Sequence, residues 1–242
     1  MKAMVLAAGE GRRLRPLTDT VPKALVEAGG CSMLEHVLQR LKAAGVREVI
    51  LNVCHLADKV EEFVRAHRGF GLRVEFSREQ SLLDTGGGLK KAAWFFDDGE
   101  PFFLYNADVY CDADLSAFYQ AHLEGKALAS VAVHKRESRR ALLFNERSEL
   151  CGWDRGEPGV LWAKGPVPGA QRFSFAGFHV ISPELLSRMR DEGVFSILQS
   201  YLESVSEGER ILAHRIDGAF WSDIGRLEDL EALRRRLGCK PA

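Results

Sequence analysis

Residues 2–25 read KAMVLAAGEGRRLRPLTDTVPKAL and join an apolar run to a loop rich in glycine and arginine. The run at 2–8 shows no regular polar alternation, which is typical of a strand buried on both faces of a parallel sheet. Gly9 and Gly11 allow sharp backbone turns that expose N–H groups to an anion. The stretch therefore predicts an α/β protein with a phosphate site after its first strand.

The loop also carries formal positive charge, from Arg12, Arg13, Arg15 and Lys23. One arginine guanidinium can donate hydrogen bonds to two phosphate oxygens at once, and lysine supplies a compact point charge. A dinucleotide fingerprint, G-x-G-x-x-G, would need a third glycine where Leu14 stands, and the Walker pattern is absent. A solvated basic loop remains the structural alternative.

Composition narrows the class of protein. The 242 residues are 46% hydrophobic and 28% charged, with a formal net charge of −1, which argues against a dedicated nucleic-acid binder. Five cysteines, the last at 239, form no CxxC pair, which favours a reduced, cytoplasmic protein. Glycine and charge interrupt the apolar start, so we expect no signal peptide, and no apolar run approaches the ~20 residues of a membrane helix.

Strand and helix patterns alternate through about residue 125, which indicates βαβ units and a parallel sheet. In this half we expect strands at 2–8, 49–53, 72–76 and 101–105, and helices at 33–44, 55–67, 89–96 and 115–123. The second half is mostly β-like, at 127–134, 141–145, 160–163, 173–181 and 211–216, with helices at 183–189, 196–204 and 228–237. No linker interrupts the chain, so we predict one domain, 1–242.

The stretch from Leu6 to Leu25 resembles the opening signature of the sugar-1-phosphate nucleotidyltransferases, also called NDP-sugar pyrophosphorylases. That signature is L-A-A-G, then G-x-G-x-R-[LM]-x-P-L-T, then P-K-x-[LM]. Further similar segments follow in order and extend the resemblance over nearly the whole chain: NVCHLADKVEEFV, DTGGGLKKA, FFLYNADVYCD, FSFAGFHVIS and FWSDIGRLEDL. Short members that activate N-acetylmuramate 1-phosphate with UTP look most similar, and mannose- and heptose-1-phosphate guanylyltransferases follow.

The resemblance implies a Rossmann-like, mixed, mostly parallel sheet flanked by helices, with a nucleotide-binding half (1–125) and a β-rich sugar-binding half (126–242). It implies Mg²⁺-dependent transfer of a nucleotidyl group from an NTP to a sugar 1-phosphate, with release of pyrophosphate. We expect UTP with an N-acetylmuramate- or hexose-type sugar 1-phosphate, in cytoplasmic cell-envelope sugar metabolism. A GTP-dependent mannose- or heptose-1-phosphate guanylyltransferase is the alternative. We expect no nucleic-acid or membrane partner, and a homodimer is left open.

The same resemblance assigns roles to individual residues. Arg13 and Lys23 are implied as catalytic, and Asn106 and Gly177 as sugar-binding. The implied nucleotide-binding residues are Leu6, Ala7, Ala8, Gly9, Gly11, Thr85, Gly87 and Gly88. On composition alone, the three glycines of DTGGG would let a base approach the backbone, or would form a flexible entry to a helix.

Two aspartates are implied as the magnesium ligands. Asp108 follows the apolar strand PFFLYN, at the end of the strand where open α/β sheets bind ligands, and Asp223 lies in WSDIG. Mg²⁺ prefers one or two carboxylates together with phosphates and waters. As structural alternatives, Asp108 could be a turn residue and Asp223 a cap of the last helix.

Two other functions remain open at this stage. A catalytically silent relative could bind nucleotide as a regulatory subunit, although Arg13, Lys23 and both aspartates are present. A cytidylyltransferase acting on phosphocholine shares the opening signature and would need an aromatic cage for the quaternary ammonium.

Overall fold

The computed structural model describes residues 1–136, 138–157 and 159–238. Cys239 lies outside these residues. Contacts group the chain into two compact units. The first unit comprises Met1–Leu82, Leu104–Leu115 and Phe220–Ala242, and the second comprises Leu83–Phe103 and Ser116–Ala219.

Each unit takes residues from both sides of position 125. That the chain is one domain with halves 1–125 and 126–242 stays a prediction.

The described strands are, in chain order, β1 (Lys2–Leu6), β2 (Glu27–Ala28), β3 (Cys31–Ser32), β4 (Glu48–Val53), β5 (Arg73–Arg78), β6 (Phe102–Asn106), β7 (Val109–Cys111), β8 (Ala129–His134), β9 (Ala141–Phe144), β10 (Leu150–Asp154), β11 (Val160–Trp162), β12 (Gln171–Ile181), β13 (Ile211–Arg215) and β14 (Trp221–Asp223). The described α-helices are α1 (Met33–Ala43), α2 (Ala57–Ala66), α3 (Asp84–Lys91), α4 (Leu115–Gly125), α5 (Glu184–Arg188), α6 (Ile197–Ser206) and α7 (Leu227–Arg236). None of the described helices is long and apolar enough to cross a membrane.

The first unit is built on parallel strands. β4 pairs with β1 on one side and β5 on the other, and the register sets Leu6 opposite Asn52. Buried, non-alternating side chains in β1 and β4 agree with a sheet covered on both faces. α1 begins after Ser32, whose hydroxyl accepts the Glu35 N–H at 3.1 Å, and it buries its apolar stripe.

The second unit is mostly antiparallel. β8 pairs with β12 in antiparallel fashion and with β13 in parallel fashion, and a chain of antiparallel pairs then runs from β12 through β9 and β10 to β11. The predicted fold class, a Rossmann-like mixed sheet flanked by helices, is confirmed.

Short elements were missing from the sequence prediction. β7 and β14 have three residues each, and they pair with one another. The loop after β1 winds through three short 3₁₀ turns, Arg12–Leu14, Leu17–Asp19 and Lys23–Leu25. Three residues are too few to show either period, so such elements leave no pattern in the sequence.

Candidate active site

The loop after β1 is held in a defined shape by Gly11. Its backbone lies in the left-handed region, with φ 67°, and its carbonyl accepts the Leu14 N–H at 2.8 Å and the Thr18 hydroxyl at 2.9 Å. A methyl group at this position would approach the Thr18 Cγ2 to 2.8 Å. Gly9 differs, because a methyl group there would meet no atom within 4 Å. Gly11 is thus required by the fold, whereas the side of Gly9 is open.

The buried amide of Asn52, on β4, joins the end of β1 to the segment that follows β5. The Asn52 Oδ1 accepts the Ala7 N–H at 2.8 Å, and its Nδ2 donates to the Glu79 Oε1 at 2.8 Å. Both side chains are buried, at 3% and 7% exposure. Neither residue was singled out in the sequence, because Asn52 is one polar residue inside the apolar strand β4 and Glu79 follows β5, a strand of alternating polarity. Through Asn52, the Glu79 carboxylate is connected to Ala7 in the segment Leu6–Gly9, which is predicted to bind the nucleoside and which we call the nucleoside loop.

Lys23 and Asp108 form an ion pair across 85 residues of sequence. Their side chains are only 14% and 27% exposed, so water screens the pair less than it would a surface pair. Lys23 opens the third 3₁₀ turn of the loop, and Asp108 lies in the turn between β6 and β7. The turn position predicted as a structural alternative is therefore real, and it also brings Asp108 to the basic loop.

Asp223 lies beside Asp108 along the backbone. It pairs with Val109 across β14 and β7, and the Ile224 N–H donates to the Asp108 carbonyl at 3.0 Å. The N-cap position of α7 is occupied by Arg226. The β7–β14 pairing thus carries two aspartates on adjacent backbone segments.

Arg13 reaches the same region. A methyl group on Gly225 would lie 3.3 Å from the Arg13 Nη2, so this guanidinium lies against the WSDIG segment. The next residue, Leu14, belongs to a buried apolar cluster that also includes Ile224 and Leu230 of the last segment. This apolar contact holds the loop in place, so the backbone of Arg13 has a fixed position.

The other loop arginines are paired with neighbours in the loop. Arg12 forms an ion pair with Glu10 and keeps 74% of its side chain exposed, and its guanidinium holds the pKa of the Glu10 carboxyl below its ordinary value. Arg15 pairs with Asp19 at 3.2 Å, and both are more than half exposed. Arg13 is therefore the loop arginine that packs against the β14 segment.

The DTGGG segment lies inside a helix. The prediction of a loop before a helix at 89–96 was wrong, because α3 already begins at Asp84 and Gly86, Gly87 and Gly88 are buried in it. A methyl group on Gly86 would lie 2.4 Å from the Phe195 ring, and one on Gly87 would lie 2.0 Å from the Gly193 carbonyl oxygen. Within the second unit, these glycines allow the helix to pack closely against 193–195.

Thr85 and Gly177 also have structural contacts in the second unit. The Thr85 hydroxyl accepts the Ile197 N–H at 3.0 Å, next to the Ser196 capping box of α6. Gly177 has φ 89° and lies where the β12–β8 register shifts, between Phe175 and His179. Roles for Thr85, Gly87 and Gly88 in nucleotide binding, and for Gly177 and Asn106 in sugar binding, stay predictions. Asn106 ends β6 and is half-buried.

The acidic side chains near the loop suit a metal that takes few protein ligands. Over the residues that the structure describes, no group of three or more His, Cys, Asp or Glu is arranged to hold an ion. Two carboxylates on adjacent backbone, beside a basic loop, match the ligand set of Mg²⁺, which fills its remaining positions with phosphate oxygens and water. The same set is poor for zinc, which favours cysteine and histidine.

The family model described as nucleotidyl transferase matches residues 2–142, more than half of the chain. The chain belongs to this family.

Curated relatives extend the similarity over almost the whole chain. A mannose-1-phosphate guanylyltransferase catalytic subunit beta from Danio rerio is 33% identical over 244 residues, which cover 95% of this chain and 62% of that protein. A mannose-1-phosphate guanyltransferase from Kluyveromyces lactis is 32% identical over 234 residues, with the same two shares. The chain thus spans 62% of the length of these relatives.

Solved structures share the fold at low identity. HddC from Yersinia pseudotuberculosis, complexed with GMP-PN, superposes with a TM-score of 0.75 at 21% identity, over 97% of this chain and 98% of that one. A putative glucose-1-phosphate thymidylyltransferase from Bacillus anthracis, in complex with a sucrose, gives 0.83 at 16% identity, over 100% and 97%.

Proposed function

We propose that this protein transfers a guanylyl group from GTP to mannose 1-phosphate or a similar sugar 1-phosphate, and releases pyrophosphate. The observation that carries the proposal is the grouping of Lys23, Asp108, Asp223 and Arg13 around one loop of the first unit. Two polyanions must meet in such a reaction, so cationic groups and a metal are more useful than an acid–base pair.

Guanine has better support than uracil as the base. The curated relatives described above act, by their names, on mannose 1-phosphate as guanylyltransferases. The expectation of UTP with an N-acetylmuramate-type sugar has less support than this alternative.

The chemistry beside the nucleoside loop also favours guanine. Glu79 is a buried carboxylate joined to the Ala7 amide through Asn52. Each oxygen of a carboxylate has two lone pairs, so Glu79 can accept from Asn52 and also from the adjacent N1–H and N2–H₂ donors of guanine. Uracil offers a single ring N–H between two carbonyl acceptors, which a carboxylate would repel. We propose that Glu79 reads the guanine edge.

In the proposed reaction an oxygen of the sugar phosphate attacks the α-phosphorus of GTP, and the bond from the α-phosphorus to the bridging oxygen of the leaving pyrophosphate breaks. Arg13 and Lys23 hold the triphosphate and stabilise negative charge on the departing pyrophosphate. Backbone N–H groups from Ala8 to Gly11 bind phosphate oxygens, and the open side of Gly9 lets the nucleotide approach.

Asp108 and Asp223 are the residues that would hold Mg²⁺. When bound, the ion neutralises phosphate charge and orients the reacting phosphates. Lys23 forms an ion pair with Asp108 and so brings a second positive charge to the same carboxylate. In this proposal, Mg²⁺ and Lys23 together stabilise the negative charge that develops during transfer.

A pyrophosphate-release screen tests the proposal. The purified chain is assayed with GTP, UTP, CTP, ATP and dTTP against mannose 1-phosphate, glucose 1-phosphate and N-acetylmuramate 1-phosphate. We expect the highest kcat/KM for GTP with mannose 1-phosphate, and loss of turnover in Asp108→Asn. Preferred use of UTP with N-acetylmuramate 1-phosphate would overturn the choice of base and sugar. Nucleotide binding without turnover on any pair would favour the silent regulatory subunit instead.

A further inference from the structure

We infer that Asn52 is a positioning residue, which fixes the nucleoside loop and the Glu79 carboxylate relative to each other before the nucleotide binds. The inference rests on the proposed function and names a part of its site that contacts no reacting atom.

The geometry fixes which way the amide faces. The Ala7 N–H can only donate, so the oxygen of Asn52 must face it, at 2.8 Å. The nitrogen then faces the Glu79 Oε1, also at 2.8 Å, as a donor to a carboxylate. Both bonds are made by a side chain that is only 3% exposed. The orientation therefore follows from the two partners.

The Asn52 side chain makes hydrogen bonds just beyond the ends of β1 and β5, where the backbone ladder stops. Asn52 pairs with Leu6 of β1 and with Ser77 of β5, and Ala7 is the first residue beyond β1. On the other side, the Glu79 N–H donates to the Val53 carbonyl at 2.8 Å. One side chain thus holds the chain segments that follow β1 and β5 at fixed positions relative to β4, at the point where the loop begins.

Asparagine is the side chain of this length that fits both partners. Leucine would leave the Ala7 N–H and one carboxylate oxygen unsatisfied in a buried place, which is costly. Aspartate would accept from Ala7 but would set a second negative charge against Glu79. Because both partners lie on the proposed nucleotide side, the effect of losing the amide should fall on nucleotide binding rather than on the sugar phosphate.

A donor–acceptor exchange tests this role. In Asn52→Asp we expect the KM for GTP to rise about 10- to 100-fold, the scale of hydrogen bonds to charged groups, with the KM for mannose 1-phosphate within about twofold. Because Glu79 repels the introduced carboxylate, the bond from the Ala7 N–H to residue 52 should be lost. Hydrogen exchange at the Ala7 amide, followed by NMR on the full chain without nucleotide, should therefore quicken to a similar extent.

The double variant Asn52→Asp with Glu79→Gln restores complementarity, because the introduced glutamine amide donates to the introduced carboxylate. We expect Ala7 protection to return in this double variant, although base preference changes with the loss of the Glu79 charge. Asn145→Asp is the matched control, since Asn145 makes the same kind of bond to Glu149, at 2.9 Å, in the hairpin between β9 and β10. It should leave Ala7 exchange unchanged.

Two outcomes would overturn the inference: unchanged Ala7 exchange in Asn52→Asp, or no recovery in the double variant. If Asn52→Asp does not fold, a folded and protected double variant supports the role, and an unprotected one contradicts it. The exchange measurement needs no turnover. A protein that uses GTP but shows unchanged Ala7 exchange in Asn52→Asp therefore retains the proposed function and loses this inference. A protein that is inactive on every NTP, but in which Ala7 exchange quickens in Asn52→Asp and recovers in the double variant, loses the proposed function and retains this inference.

Discussion

Lys23 forms an ion pair with Asp108, although 85 residues separate them in the sequence. The pair joins the basic loop after β1 to the turn that follows β6. It sets a positive charge and a proposed metal ligand side by side, which is the arrangement that transfer between two polyanions requires.

Removing the charge of Lys23 should reduce chemistry more than folding. Lys23→Met keeps most of the chain length, and we expect kcat to fall about 10²- to 10³-fold, the scale of losing one preorganised group that stabilises transition-state charge. Lys59→Met is the control, because the Lys59 ammonium is exposed and donates to a backbone carbonyl, that of Thr20, at 2.6 Å. Steady-state kinetics with GTP and mannose 1-phosphate decide this, and a kcat within twofold in Lys23→Met would remove the role.

Adjacent arginines should differ sharply in their effect. Arg13 lies against Gly225, whereas Arg12 points to solvent in a pair with Glu10. We expect Arg13→Ala to lower kcat about 10²- to 10³-fold and Arg12→Ala to change it by less than about threefold, since exposed ion pairs contribute little. Equal losses in the two variants would contradict the assignment of the catalytic arginine.

The two aspartates should behave as one unit. Asp108→Asn and Asp223→Asn each keep the shape and remove a charge that binds the metal, so each should abolish most activity and raise the Mg²⁺ concentration for half-maximal rate. The double variant should be little worse than either single variant, because residues acting together are not additive. Asp58→Asn, at an 88% exposed carboxylate, is the control. Multiplicative losses in the double variant would argue for separate roles.

Alanine substitutions at Gly9 and Gly11 should have different effects, the first on nucleotide binding and the second on stability. Gly11→Ala forces a side chain into φ 67° and against Thr18, so we expect the free energy of unfolding to fall by about 1–3 kcal/mol. Gly9→Ala meets no atom within 4 Å and should leave that free energy unchanged while it weakens nucleotide binding. Urea unfolding and calorimetric titration with GTP measure the two quantities. A Gly9→Ala variant that binds GTP normally would show that the nucleotide does not approach this backbone.

Buried histidines should make the protein less stable in mild acid. Burial lowers the pKa of His122 to about 4 and of His179 to about 3, from 6.5. As the pH falls, the two histidines take up protons in the unfolded chain before they do so in the folded chain. The contribution of the neutral, buried histidines to stability is therefore fully present above pH 6.5. It is lost as the pH falls toward 4, by up to about 1.4 kcal/mol per pH unit for each histidine.

His122→Gln checks this slope. Its ring nitrogens contact the Ser130 and Ser182 hydroxyls at 3.0 and 3.1 Å, and an uncharged amide cannot take up the proton. Urea unfolding at pH 7.5, 6.0 and 5.0 should give a flatter dependence in this variant than in the natural chain. The same dependence in both would assign the acid sensitivity to other groups.

Some of the site could be read from residues that are close in the chain. The apolar run before Ala7 predicts a buried strand, and the glycine and basic residues behind it predict an anion loop. Arg13 and Lys23 stand within that same stretch. Backbone periodicity and turn chemistry are local properties, so a sequence carries them directly.

For the DTGGG segment, the loop predicted from the sequence was wrong. Glycine is used both for flexible loops and for close packing, and composition does not separate the two. The structure shows that this run lies inside α3, where a methyl group on Gly87 would lie 2.0 Å from the Gly193 carbonyl oxygen.

The sequence by itself determined the mixed α/β fold, the loop after β1 and the residue types that a phosphate site needs. The tertiary structure decided which of them meet: Lys23 with Asp108, Asp223 beside Asp108, and Asn52 between Ala7 and Glu79. Strand register is the reason for the second and third of these, whereas the 3₁₀ turns of the loop after β1 bring Lys23 to Asp108. A side chain at the end of a strand finds its partners on neighbouring strands, and pairing across the sheet, not spacing along the chain, sets which residues those are.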